Sequence, residues 1–391
     1  MVIGILFAIA GTGHSSLQEV PFTIGEDAII INVEVNGKPA SLMFDTGFAG
    51  AVVLGDQLDI GKPTGTISLQ DFVGAFQVKT VPIKTMKIGD RMVKVTGLEA
   101  VQQPSEHYSL AYGVHCDGIL GLEPFKDGPF QINFEKKKII FLDPSLDLTQ
   151  TTPDNTRSFL AKLLPLGHNS MELSVQGPKG EKLVMALDTG NSGYATTHRD
   201  VLEREKFWPE GKKAAFMTQS VVASGPVDTF YVAMPDLKIF GIPVEKPVFS
   251  VIDLPSSAAD HDGTIGFRFL RNFNLTIDLA HRRVLFENYT GTRNDEEPGA
   301  IGVLAFKDPR RKRMRIYSVM PDGPADKAGV KRGDDLLSVD GLDVDHMSYR
   351  AVRSLLEGKV GSKVKLDLSR EGQLIRHEIE RIQLVNDPTK K

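Results

Sequence analysis

"VNGKPASLMFDTG", residues 35–47, is a turn, an apolar run and an acid placed in a Thr-Gly loop. Asn36-Gly37 predicts a two-residue hairpin, because a type I′ turn needs positive φ at both central residues. The arrangement returns at "QGPKGEKLVMALDTG", residues 176–190. Downstream of the first copy lies "DGILGL" (117–122), and downstream of the second "DGTIGF" (262–267). Asp45 and Asp117 are 72 positions apart, and Asp188 and Asp262 are 74 apart. A strand-turn-strand pattern follows each, "FQINFEKKKIIFL" (130–142) and "FNLTIDLAHRRVLFE" (273–287). One Asp-Thr-Gly is a weak signal. Four features recurring in one order at nearly one spacing mark an internal duplication.

Working outward, residues 21–290 read as short β runs punctuated by Gly, Pro, Asn and Asp, with one short candidate helix at 199–208. The fold class expected is mainly β: two pseudo-symmetric halves forming a cleft, followed by a small α+β domain. The divisions are a signal segment at 1–20, a first half at 21–145, a linker at 146–159, a second half at 160–289, a linker at 290–298 and a C-terminal domain at 299–386. Both linkers are polar and carry Pro. In the last domain "YRAVRSLLEG" (349–358) is an amphipathic helix with Gly358 as its stop.

Composition limits the function. The chain has 391 residues, 41% hydrophobic and 25% charged, which suits a soluble chain with a sizeable core. A net charge of −4 gives no general attraction to nucleic acid, and "PRRKRMR" (309–315) reads as a solvated loop. The single Cys116 excludes an intrachain disulfide framework and reads as a small buried residue. "MVIGILFAIAG" (1–11) has the length of a signal-peptide core, and Ala8-Ile9-Ala10 fits a cleavage site, but the basic leader is missing; a first β-strand is the competing reading. Export to the periplasm or outside is expected, with a cytoplasmic location as the alternative. No run is long enough to span a bilayer as a helix, so no integral membrane segment is expected.

The repeated acid suggests a chemistry. Two Asp side chains held together cannot both ionise easily, so they share a proton and their titrations split. One can then activate water while the other donates to a carbonyl oxygen. Asp45 and Asp188 are the expected catalytic pair. Gly47 and Gly190 would let the backbone turn beneath each acid and donate N–H groups, and Thr46 and Thr189 would brace the loops. No metal-ligand spacing is present and no cofactor is expected.

On these residues the sequence resembles the aspartic proteases, combining the single-chain arrangement of pepsins with the short halves of retroviral proteases. The resemblance implies acid-protease-like β halves. It also implies that Ile119-Leu120-Gly121 and Thr264-Ile265-Gly266 cross behind the catalytic loops and support them. It implies a flap hairpin at "LQDFVGAFQV" (69–78), with Phe72, Gly74 and Phe76 over substrate, and a counterpart at 219–227. Where pepsins carry Ser or Thr after Asp-Thr-Gly, this chain has Phe48 and Asn191; Asn191 can donate a hydrogen bond and Phe48 cannot.

"MPDGPADKAGVKRGDDLLSVDG" (320–341) resembles a PDZ domain. That resemblance implies a peptide C-terminus bound by strand addition. It places the carboxylate loop at Ala300-Ile301-Gly302-Val303 and groove residues at Val352 and Leu356. The resulting expectation is an aspartic endopeptidase acting on peptides or unfolded proteins, with a PDZ domain for C-termini. The competing reading is a catalytically inactive protease-fold scaffold that binds peptides.

Overall fold

A computed structural model describes residues 16–389, apart from 71–73, 106–107, 110–111, 166–170, 223–224, 257–260, 295–297 and 309–312. It is built almost wholly from strands, in two matching sheets, a sheet that joins them, and a C-terminal unit.

The first sheet runs Gly65–Gln70, Ala75–Pro82, Glu99–Gln103, Val52–Gly55, Gly118–Leu120, Lys38–Phe44, Ile29–Val35, Met86–Ile88, Arg91–Met92. The second runs Thr218–Val222, Gly225–Ala233, Val248–Ile252, Ala195–His198, Gly263–Ile265, Lys182–Leu187, Glu172–Gln176, Leu237–Ile239, Ile242–Val244. Position by position the two orders are the same. In each, the strand leading into Asp-Thr-Gly lies parallel to the short strand of the downstream Asp-Gly motif, pairing Met43 with Ile119 and Ala186 with Thr264. The predicted turn is present, with φ of 50° at Asn36 and 76° at Gly37.

The two strand-turn-strand units meet in a six-stranded sheet beneath both halves. Its order is Ser16–Pro21, Lys138–Leu142, Phe130–Asn133, Phe273–Asp278, Arg283–Asn288, Ser158–Lys162. At its centre the two halves pair antiparallel, Ile132 opposite Leu275. Phe125, Phe130, Phe273 and Phe286 are fully buried in one core shared by both halves. The shared core gives the halves a fixed relation and leaves the Asp loops facing each other. Residues 1–15 of the expected signal segment lie outside the described residues, and Ser16 already pairs with Leu142. Cys116 is buried among Ala28, Ile30, Met43 and Tyr108, as its composition suggested.

The C-terminal unit has its own core, including Ile301, Ile316, Leu336, Val352, Leu356 and Leu366. Its sheet runs Val303–Lys307, Met314–Val319, Asp335–Val339, Lys363–Arg370, Gln373–Glu380, so Val303–Lys307 is an edge strand. The helix Tyr349–Leu356 starts with Ser348 capping the Ala351 N–H and turns Val352 and Leu356 inward. Asn386 ties this unit to the second half. Its side chain accepts from the Ala215 and Phe216 N–H groups and donates to the Phe216 and Tyr231 carbonyls. Arg350 reaches Asp27 of the first half at 3.3 Å.

Candidate functional site

Asp45 and Asp188 sit on adjacent loops at the seam between the halves. The Thr residues after them interlock. The Thr46 hydroxyl donates to the Leu187 carbonyl (2.8 Å) and accepts from the Thr189 N–H (2.9 Å). The Thr189 hydroxyl donates to the Phe44 carbonyl (2.7 Å) and accepts from the Thr46 N–H (3.1 Å). Both Thr residues are fully buried. Four polar groups that would otherwise be orphaned satisfy one another across the pseudo-two-fold, which holds the loops without a covalent link.

Within each loop the acid is oriented by its own backbone. Gly47 and Phe48 N–H groups donate to Asp45 Oδ1 at 2.8 and 3.1 Å. Gly190 and Asn191 N–H groups donate to Asp188 Oδ1 at 2.9 and 3.1 Å. The glycines are required for a reason the turn alone did not indicate. A Cβ on Gly190 would lie 2.4 Å from Asp45 Cγ, and one on Gly47 would lie 2.8 Å from Asp188 Cγ. Each glycine makes room for the opposite carboxyl. Gly121 and Gly266 stand behind the loops, where a Cβ would come within 2.2 Å of the Gly50 carbonyl and 2.4 Å of the Gly193 carbonyl.

The two acids titrate differently. Burial pushes the Asp45 carboxyl well above the ordinary carboxylate range, and the Asp188 charge and hydrogen bond push it further. Burial also raises Asp188, but less. Asp45, the Asn191 and Gly190 N–H groups and the Thr264 hydroxyl all favour its charged form. With both titrations raised, two carboxyls held this close can keep one proton between them, which would give the pair one donor and one acceptor.

The Asn191 side chain does not itself serve Asp188. Its amide donates to the Thr196 and Thr264 hydroxyls at 3.0 and 2.8 Å, and Thr264 meets the carboxylate. The sequence reading placed Thr264 in a supporting segment behind the loop and assigned its hydroxyl no contact with Asp188. Its signal was the polar mismatch between "DGTIGF" and "DGILGL". Tyr108 and Tyr112 were also missed. They stack in parallel with centroids 6.4 Å apart and line the cleft. Burial raises the Tyr108 hydroxyl to about 12, and Tyr112 well above its ordinary value.

The hairpin Gly65–Gln70/Ala75–Pro82 stands at the position expected of a flap, with Leu69 and Phe76 on the cavity wall. Gly74 is at its turn, and Phe72 lies outside the described residues. The cavity is large, about 1850 Å³, and extends beyond the acids to the C-terminal unit. There Ile301, Gly302 and Val303 line it together with Tyr349, Arg353 and Leu356; Val352 lies deeper, in the core.

Residues 315–370 match the family model PDZ_6, described as PDZ domain. The C-terminal unit carries a PDZ domain. Among curated proteins, the chain is 37% identical over 71 residues to the carboxy-terminal processing protease CtpA of Bacillus subtilis, covering 18% of this chain and 15% of that protein. It is 31% identical over 130 residues to the periplasmic serine endoprotease DegP of Salmonella typhimurium, covering 31% of this chain and 26% of that protein. The chain thus spans about a seventh to a quarter of these relatives' length. Among solved structures, the aspartic proteinase from Irpex lacteus is similar with a TM-score of 0.43 and 15% identity, covering 70% of this chain and 98% of that chain.

These relatives correct the expectation of an aspartic-type, retropepsin-like endopeptidase. Relatives by sequence, DegP and a probable CtpA-like protease of Staphylococcus haemolyticus among them, are named serine proteases, so the class they support is the coarser one, a protease with a PDZ domain. Among the described residues no helix is long and apolar enough to cross a membrane.

Proposed function

We propose that this chain is an exported, PDZ-containing protease whose polypeptide substrate lies extended across the cleft between the halves, with Asp45 and Asp188 touching the bound backbone. The PDZ domain takes peptide or protein C-termini, at Ile301, Gly302 and Val303, beside Val352 and Leu356. Thr46, Gly47, Thr189, Gly190, Asn191, Gly121 and Gly266 hold the two loops. Gly74 and Phe76 belong to the hairpin that covers substrate. The units are taken as 21–145, 160–289 and 299–386. Export is supported by a relative named periplasmic.

The observation that carries this reading is the two adjacent carboxyls, both with raised titrations, on the wall of a cavity of about 1850 Å³. A pair that is donor and acceptor at once suits a peptide unit, which is also both. Cleavage of a peptide library by the full chain at several pH values tests it, with peptide affinity measured in parallel. Asp45→Asn and Asp188→Asn are each expected to weaken peptide binding by about tenfold, the worth of one good hydrogen bond to a charged group. No cleavage at any pH, with unchanged affinity in both variants, would refute the proposal. A fluorophosphonate that labels one serine and abolishes cleavage would assign the bond-breaking step to that serine.

A further inference from the structure

The two sheets that carry the acids match strand for strand, so a position on one cleft wall has a counterpart on the other. Val53 pairs with Ile119, and at the same register Thr196 pairs with Thr264. Val101 runs beside Val53, and Ser250 runs beside Thr196. Thr80 pairs with Val101 and Tyr231 with Ser250; two residues back from these, Val78 corresponds to Thr229. In the hairpins Leu69 pairs with Phe76, where Ser220 pairs with Val227. Three residues past each acid stand Phe48 and Asn191. At each of these places except Phe76 and Val227, an apolar residue of the first half is a hydroxyl or amide residue in the second.

The exchange changes the character of the walls. In the first half Val53, Val78 and Val101 form a small buried cluster, with Phe48, Leu69, Phe76 and Ile119 packed over it. In the second half Asn191 donates to the Thr196 and Thr264 hydroxyls at 3.0 and 2.8 Å, and the Ser220 and Thr229 hydroxyls lie 3.1 Å apart. Both sets line one cavity, on either side of Asp45 and Asp188. Packing does not call for the hydroxyls, since the first half fills the equivalent space with valine and isoleucine. A hydroxyl taken out of water costs free energy unless it finds a partner. Asn191 supplies a donor to each Thr, and each Thr keeps its own proton to give. Thr264 gives it to Asp188, and Thr196 faces the cavity. An apolar wall favours an apolar side chain by removing it from water. A wall of hydroxyls rejects a side chain that leaves its groups unpaired.

We infer that the cleft selects a polypeptide with an apolar side chain against the first half and a hydrogen-bonding side chain, such as that of Asn, Gln, Ser or Thr, against the second. An extended chain points successive side chains to opposite sides, so two neighbouring residues can meet the two walls. The substrate class is then a polypeptide in which an apolar residue adjoins a hydrogen-bonding one. The inference rests on the cleft being where polypeptide binds, as proposed above.

The test uses the full chain and peptides blocked at both ends, so that no terminal charge contributes. The peptides differ only at two neighbouring central residues, which are Leu-Asn, Asn-Leu, Leu-Leu or Asn-Asn; the two side chains are nearly equal in size. By anisotropy, one of the mixed orders should bind about tenfold more tightly than Leu-Leu and than Asn-Asn. When photo-leucine replaces the Leu of that peptide, crosslinks should map to 48, 53, 69 or 119 and not to 191, 196, 220 or 250. In Ser220→Leu the Leu-Leu peptide should gain about fivefold on the mixed one, because one hydroxyl of the second wall becomes apolar. Leu-Leu or Asn-Asn binding the parent as tightly as both mixed peptides would overturn the inference. So would crosslinks spread over both walls, or no gain in Ser220→Leu. If every peptide binds equally well, the proposed function stands and the division of the walls fails; if none binds, both fail.

Discussion

The loops at Asp45 and Asp188 have the same backbone and different surroundings. Both acids accept two N–H groups at nearly the same distances, and both are followed by a Thr locked into the opposite half. Behind Asp188 stand two polar side chains, Thr264 and Asn191. At the same register behind Asp45 stands Ile119, and Phe48 follows the loop. Symmetric packing sets where the carboxyls are; asymmetric neighbours give the two acids different surroundings.

The symmetric part should fail symmetrically, and with the largest effect. Thr46→Val and Thr189→Val each remove a buried hydroxyl that donates to a carbonyl and accepts an N–H, leaving both partners unsatisfied. Each is expected to cost about 2–4 kcal/mol. Denaturant unfolding followed by the fluorescence of buried Trp208 would measure it. The double variant should cost less than the sum, because the first change already opens the network. If either single variant costs under about 0.5 kcal/mol, the interlock does not hold the halves together.

The hairpins break the symmetry on a larger scale. Gly65–Gln70/Ala75–Pro82 reaches the cleft from the first half. Its counterpart Thr218–Val222/Gly225–Ala233 is tied to the PDZ unit, because Asn386 bonds Ala215, Phe216 and Tyr231. Asn386 is only 4% exposed. Asn386→Ala should therefore cost about 1–3 kcal/mol. Amide exchange should quicken at 215–216 and 231–233 and stay unchanged over 65–82. Equal quickening in both hairpins would mean that the anchor is not local to the second half.

The duplication, the pairing of the halves and the two acids were legible because each repeats a pattern with a fixed period or spacing. The strands at 130–142 and 273–287 could be read from apolar runs around turn residues, and they form as expected. The reason for Gly47 and Gly190 was not legible. A crowding carboxyl in the opposite half of the chain leaves no local trace, and a tight turn explains a glycine equally well. Thr264 was visible as a mismatch, yet its meaning needed the parallel pairing that places it beside Asp188. The joining of groove and cleft depends on how Asn386 and Asp27 seat the PDZ unit, and no motif encodes that. The reaction type read from the two acids was corrected by relatives that are named serine proteases, whose similarity spans only part of the chain.

The smallest expected effect is also the sharpest test of the comparison between the two loops. The folded-state titration of Asp45 lies well above its unfolded value, near 4. Its contribution to stability is therefore complete below the unfolded value and is lost as pH rises through the folded value. Asparagine stays neutral throughout. Asp45→Asn should match the parent at pH 3 and become more stable than it as pH rises, by about 1 kcal/mol, or roughly 2–4 °C in Tm. Asp188→Asn should gain less, because it removes a carboxylate whose charged form the Gly190 and Asn191 N–H groups and the Thr264 hydroxyl favour. Thr264→Val removes one of the groups that favour the charged form of Asp188, and should bring its titration toward that of Asp45. In a Thr264→Val background the two Asn variants should then show closer Tm profiles between pH 3 and 8. Identical profiles in the parent background would mean that Ile119 and Thr264 do not divide the pair.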